Sequence, residues 1–336
     1  MKNYILIICS LLMALNLRAA ETAVYEGKDG PGKGKHLVFL SGDEEYRSEE
    51  ALPMLAKILS QRHGFKCTVL FSLNADGTIN PDKGDSLAGS EALDSADAIV
   101  MSLRFRRWKD DAMQRFEKAY LAGKPMIGLR TSTHAFAGFP ANSPWAKYNW
   151  NNNVWKQGFG RQVLGETWVA HHGGHKSEAT RGIIEEAAKE DTILRGVTDI
   201  FGDTDVYTAN PMADSKILVR GAVLAGMKPT DEPVTNKKNM PMQPVIWTRL
   251  HKNEAGKENK VFCTTMGAAT DLQNEGLRRV VVNAVYWSLS LEVPAKADVT
   301  YVDDFKPLMY GFGGYRRGLT PDDHALGKVL PPGVKK

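Results

Sequence analysis

GKPMIGLRTSTHAFAGF, residues Gly123 to Phe139, contains an apolar run from Pro125 to Leu129 that passes directly into a polar turn, Arg130 to His134. Such a strand leading into a sharp turn is how many α/β hydrolases and amidotransferases lift a nucleophile above a sheet. Here the raised position falls on Arg130. The stretch therefore predicts a buried strand, and leaves three options for the turn: a site that has lost its nucleophile, a site of different chemistry, or a plain loop.

The same pattern repeats on both sides. HLVFLS (36 to 41), FKCTVLF (65 to 71) and DAIVMSL (97 to 103) are apolar throughout. EEALPMLAKILSQRHG and DDAMQRFEKAYLAG carry helical spacing and close on Gly64 and Gly123. Apolar strands alternating with helices predict an α/β fold with a mostly parallel sheet covered on both faces. TWVAHH, DVYTA, KILVRGAVL, PVIWTRL and KVFCTTMG are further strand candidates, and GLRRVVVNAVYWSLSL is a final helix. Between them, ANSPWAKYNWNNNVWKQGFG has no clean period and is expected as a long loop or lid; MKPTDEPVTNKKNMPMQ is a surface loop.

At 336 residues, 43% hydrophobic and 24% charged, the composition is that of a globular protein. Lys2, the apolar run Tyr4 to Leu15 and LRAA make residues 1 to 20 a signal peptide, with cleavage near Ala20 and a secreted or periplasmic product. No membrane span is expected after cleavage. Residues 21 to 35 are a loose lead-in, 36 to 293 the domain and 294 to 336 a C-terminal extension. The formal charge is +4; the leader holds Lys2 and Arg18 and no acids, so its loss leaves +2, too little to imply nucleic acid or an anionic membrane. The two remaining cysteines, Cys67 and Cys263, fall in apolar strands and are either free thiols or one disulfide.

Ligands of an open parallel sheet bind beyond the carboxyl ends of its strands. Followed outward, the strands end in SGDEEYRSEE, SLRFRRW, RTSTHAF, HHGGHK and TTMGAATDLQNEG, so the polar chemistry gathers at one edge. His134, His172, His175, Asp205 and Tyr207 are the acid/base candidates. The H-H-x-x-H spacing offers His172 and His175, with Asp205, as ligands for zinc or another divalent ion; the alternative is that these imidazoles hydrogen-bond a neutral substrate. Arg104 and Arg106 alternate, so a continuing strand would aim both to one face, where Arg130 joins them in gripping a carboxylate, a phosphate or sugar hydroxyls. A salt-bridge network with Asp43, Glu44 and Glu45 is the structural alternative. Glu45, Thr131, Ser132, Thr265 and Asp271 complete the substrate-binding candidates, and Trp145, Trp150, Trp155 and Phe159 are available to stack on sugar rings.

These segments together resemble the ThuA-like (trehalose-utilisation) branch of the class I glutamine-amidotransferase-like superfamily. SGDEEYRSEE, LRFRRW, GKPMIGLRTSTHAF, LGETWVAHHGGH, ILRGVTDIFGDTDVY, PVIWTRL and VFCTTMGAATDLQNEGLRRVVVNAVYW carry the resemblance, over roughly residues 36 to 291. It implies a flavodoxin-like three-layer sandwich and a link to sugar metabolism. The family's usual Gly-Leu-His at the turn is Gly128, Leu129, Arg130 here, and amidotransferases place Cys at that point, so glutamine hydrolysis by a thiol is not expected. The family's later His corresponds to His172 or His175, and its acidic, Tyr-bearing segment to Asp205, Val206 and Tyr207. The expected ligand is a carbohydrate or an oxidised (keto) sugar, handled by acid/base chemistry; a non-catalytic sugar-binding module and a metal-dependent hydrolase are the alternatives.

Overall fold

The computed structural model describes residues 20 to 332. Apart from Ala20, the expected signal peptide lies outside the described residues. Within Gly123 to Phe139 the chain forms strand β5 (Met126–Leu129), followed by a 3-10 turn over Arg130–His134. Before it come β1 (Thr22–Tyr25), β2 (His36–Gly42), α1 (Ser48–His63), β3 (Lys66–Leu70), β4 (Ala98–Leu103) and α2 (Asp110–Leu121). After it come β6 (Ala170–His171), β7 (Thr180–Ile184), β8 (Phe201–Gly202), β9 (Tyr207–Thr208), β10 (Lys216–Val223), β11 (Gln243–Lys252), β12 (Glu258–Thr264) and α3 (Glu275–Ser288).

Ten strands form one sheet in the order β1-β3-β2-β4-β5-β12-β11-β10-β7-β8, while β6 and β9 pair separately. The run from β3 to β12 is parallel. The remaining pairings of the large sheet are antiparallel, so the fold is α/β with a mixed sheet, and the parallel part is one half of it. The expected lead-in also departs from expectation: Thr22 to Tyr25 adds an antiparallel edge strand to β3.

Both faces are buried because the central parallel strands carry apolar side chains on both sides. Along β2, Leu37 and Phe39 enter a core with α1 and α3, whereas Val38 and Leu40 enter a second core with Met113 and Phe116 of α2. The long loop after β5 supplies Tyr148 and Phe159 to that second core. Aromatic contacts of 5.4 Å between Phe116 and Phe159 and 5.7 Å between Phe136 and Tyr148 hold it down. Trp145, buried with Nε1 donating to Asp110, and Trp155, packed on Tyr148, belong to this packing and not to a sugar platform. α3 starts where Asn274 caps the backbone N–H of Leu277 at 2.8 Å, a side-chain cap that satisfies one of the helix's free donors.

The C-terminal extension wraps the body. Arg316 forms a buried ion pair with Glu50 of α1, and Tyr310 packs at 5.2 Å from Tyr46.

Candidate functional site

Arg130 begins the turn with φ of +44°, in the left-handed region that a bulky side chain enters only under strain. The strain turns the guanidinium inward. It is fully buried, donates from Nη1 to the carbonyls of Thr265 (2.6 Å) and Asp205 (2.8 Å), and pairs through Nη2 with Asp205 Oδ1 at 2.9 Å. The rings of Tyr207 and Tyr46 sandwich it at 3.8 and 4.6 Å. Arg130 is thus a structural cation beneath the site, and it does not face a ligand as the sequence suggested.

Asp205 is the hub. Burial opposes its charge, but Arg130 and the two imidazoles overcome this and hold its carboxyl down at about 2. Oδ2 takes His171 Nδ1 at 2.6 Å and Oδ1 takes His175 Nδ1 at 3.2 Å. The sequence singled out His172 in this role; the structure brings in His171 instead. His172 turns away, its Nε2 bonded to the carbonyl of Lys238 at 2.7 Å. The HHGGH loop can bend this tightly because Gly173 approaches Asp205 so closely that a Cβ there would lie 3.2 Å from the Asp205 Cβ. The backbone N–H groups of His172 and Gly173 both donate to the Val206 carbonyl, pinning the loop.

His175 also reaches Glu45, with Nε2 3.3 Å from Oε1. Both ring nitrogens of His175 thus face carboxylate oxygens, and two lone pairs cannot meet without a proton between them. Burial, then the neighbouring Asp43, raises Glu45, while burial lowers His175 despite Asp205. The result is a chain, Glu45–His175–Asp205–His171, whose outer end is His171: its side chain is 40% exposed and its Nε2 has no hydrogen-bond partner among the described residues.

Other expected residues fall into supporting positions. His134 is buried, and among the described residues its ring meets one hydrogen-bond partner, Thr133 Oγ1, 3.2 Å from Nδ1; burial, then Arg104 and Arg130, push it well below the usual imidazole range. Tyr207 is buried with its hydroxyl 3.4 Å from that of Tyr46. Thr131 donates to Asp43, and Ser132 to the carbonyl of Met101 at 3.0 Å, so neither hydroxyl is free to attack. Asp271 caps its own turn, accepting from Gly267, Ala268 and Thr204. Thr265 meets the site through its carbonyl, and its Oγ1 is buried without a partner.

The arginine cluster divides. The chain leaves the strand direction at Phe105 (φ +50°), so Arg104 and Arg106 do not join Arg130; both pair with Glu44. Arg106 is buried and also donates to the Pro81 carbonyl at 2.9 Å, the structural alternative that the sequence allowed. Arg104 stays nearer the surface, over the rings of Phe105 (4.5 Å) and Phe312 (5.0 Å).

Besides His171, three residues of the site were missed. Tyr46 and Tyr310 wall it, Tyr310 lying 5.7 Å from His175 and donating to the Asp203 carbonyl at 3.1 Å. Trp168 stands 5.8 Å from His171. Its position in TWVAHH, three residues before that histidine, was the available signal.

In donor chemistry the site suits a divalent ion as well as proton transfer: His171, His175 and Asp205 each offer a ligand atom, all within 4.8 Å of one another. Two imidazoles and a carboxylate form a usual zinc set. Against this, Asp205 already has Arg130 as its counter-ion, and a divalent ion there would sit beside a buried guanidinium.

Fold and site together define an α/β protein with a mixed sheet and a His-Asp-His centre, backed by a buried arginine, at the ends of its parallel strands. No family model matches the chain, and no curated protein matches it significantly. Among solved structures it is similar to a ThuA-like protein from Parabacteroides merdae, at 13% identity and a TM-score of 0.48, over 77% of this chain and 91% of that one. It is similar also to a ThuA-like protein from Bacteroides uniformis, at 14% identity and a TM-score of 0.47, over 78% and 93%.

Proposed function

We propose that the protein acts on a carbohydrate or a keto sugar by acid/base chemistry, with His171 as the group that exchanges a proton with the substrate and no cysteine nucleophile. One observation supports this most: a buried, ionised Asp205 orients two imidazoles and leaves His171, on a 40% exposed side chain, with an Nε2 that has no hydrogen-bond partner among the described residues. An aspartate bonded to Nδ1–H fixes the tautomer that leaves a lone pair on Nε2 and stabilises the imidazolium that forms. Arg130 keeps Asp205 ionised. Behind it, His175 lies 3.2 Å from Asp205 and 3.3 Å from Glu45 and helps to fix the carboxylate that orients His171. The sequence resemblance to ThuA-like proteins, with its flavodoxin-like sandwich, is what directs the choice of substrate towards sugars.

The test is turnover and binding measured separately on a panel of disaccharides and their keto derivatives. His171→Ala should lower turnover by at least about a hundredfold, the usual worth of a positioned acid or base, while binding is kept. Wild-type turnover in that variant would overturn the assignment, and binding without turnover in the unaltered protein would make it a sugar-binding module.

A metal centre at His171, His175 and Asp205 is the second possibility, favoured by the mutual closeness of their ligand atoms. Such an ion would act as a Lewis acid or lower the pKa of a bound water. Stoichiometric zinc in the purified protein, lost in both His171→Ala and His175→Ala, would select it.

A further inference from the structure

Beside His171, aromatic rings from distant parts of the chain meet in a continuous series. Trp168 lies 5.8 Å from His171, Trp150 6.3 Å from Trp168, and Phe105 5.9 Å from Trp150. The series ends where Arg104 sits between Phe105 and Phe312. None of these four rings is fully buried, and Phe312 is 61% exposed. The other large aromatics of the preceding loop, Trp145, Tyr148 and Phe159, are buried in the second core. Packing therefore accounts for those residues and leaves this set unaccounted for.

Phe105 adds an independent observation. A bulky residue at φ +50° is a strained one, and such strain persists where a clamp or a ligand site requires it. Its backbone is held there by its N–H donating to the His134 carbonyl at 3.1 Å, which carries the ring to the mouth of the site and over His134 at 5.0 Å. At the far end, Arg104 and Glu44 supply charged groups beside the aromatic faces. Apolar ring faces edged by hydrogen-bonding forks match a pyranose, whose C–H face is apolar and whose rim is hydroxyl.

We propose that Phe105, Trp150 and Trp168, edged by Arg104, form a second saccharide subsite that holds the ring across the glycosidic bond from the one presented to His171. The substrate class is then a disaccharide or a larger glycoside. This rests on the sugar assignment above, and its test separates the two.

The experiment titrates the whole protein with glucose, with trehalose and cellobiose, and with p-nitrophenyl glucoside, following tryptophan fluorescence and heat. Disaccharides should bind at least tenfold more tightly than glucose. Phe105→Ala and Trp150→Ala should each remove that advantage and leave glucose affinity unchanged. Phe312→Ala alters an exposed ring that folding does not require and should weaken disaccharides by a smaller factor, which guards against a fold defect in the other two. Disaccharide affinity unchanged in all three variants would overturn the subsite while leaving the sugar assignment standing. A preference for the nitrophenyl glucoside over both disaccharides would overturn it in favour of an aryl group. Failure of every saccharide to bind the unaltered protein would overturn both.

Discussion

Among individual residues, the one-place difference between His171 and His172 decides the chemistry. The H-H-x-x-H spacing was visible in the chain, but which imidazole turns inward depends on the pairing of Ala170 with Thr208 and His171 with Tyr207, a contact between segments over thirty residues apart. No local period carries that information. Arg130 shows the converse. Its position at a nucleophile-like turn was legible, while its role as a buried cation was hidden because its partners, Asp205 and the Thr265 carbonyl, come from elsewhere in the chain. Removing it should be costly. Arg130→Ala leaves the fully buried Asp205 carboxylate without its counter-ion, and we expect a loss of about 3–5 kcal/mol in urea unfolding, the usual cost of breaking a buried pair from one side. The same variant should raise the Asp205 carboxyl, which NMR titration would report.

At the level of elements, the parallel strands and the three long helices follow the sequence closely because each is an uninterrupted apolar run or a clear helical face. β7 and β8 were missed, while β6 and β9 fall inside the expected TWVAHH and DVYTA strands but keep only two residues each. They are short, part-exposed or broken by Gly182, and owe their pairing to neighbours and not to propensity. The C-terminal extension, which has no periodicity, is held by single polar contacts to α1: Leu308 N–H donates to Glu50 Oε2 at 3.1 Å, and Arg316 pairs with Glu50. Next to that pair, Glu49 is buried with neither carboxylate oxygen hydrogen-bonded, and burial, followed by Glu50, pushes it up to about 8. Because the folded-state value is raised, the folded chain keeps a proton that the unfolded chain releases near 4.5, so Glu49 is tolerated at acid pH and erodes stability as pH climbs from 4.5 to about 8. Glu49→Gln should therefore stabilise the protein, little at pH 4.5 and most at pH 8, in thermal melts taken across that range. A gain independent of pH would contradict this account.

Over the whole molecule, the expectation of a largely parallel sheet held for the half that builds the site. It missed the other half, since strand direction is set by connections that composition does not reveal: β10 and β11 have apolar stretches like those of the parallel strands but run antiparallel to their neighbours. Arg130, Thr265 and Glu45 follow the carboxyl ends of β5, β12 and β2, which point the same way, while His171, His175 and Asp205 are brought beside them by the separate β6–β9 pair and its flanks. What the strand-end rule could not supply was the contribution of the extension, whose Tyr310 closes one wall from the far end of the chain.

The question of a crosslink between Cys67 and Cys263 is also answered at this scale. Both thiols are free and buried, one in β3 and the other in β12, four strand spacings apart or about 19 Å. Burial pushes both thiols well up, so neither is reactive while the chain is folded. Melts with and without dithiothreitol should coincide, and a shift of more than a degree would reveal a covalent link that the fold does not accommodate. The described body thus keeps its shape without any covalent tie between distant segments. A body built this way depends on packing alone to withstand its surroundings, and it can be made in a reducing host and refolded with no oxidation step to wait for.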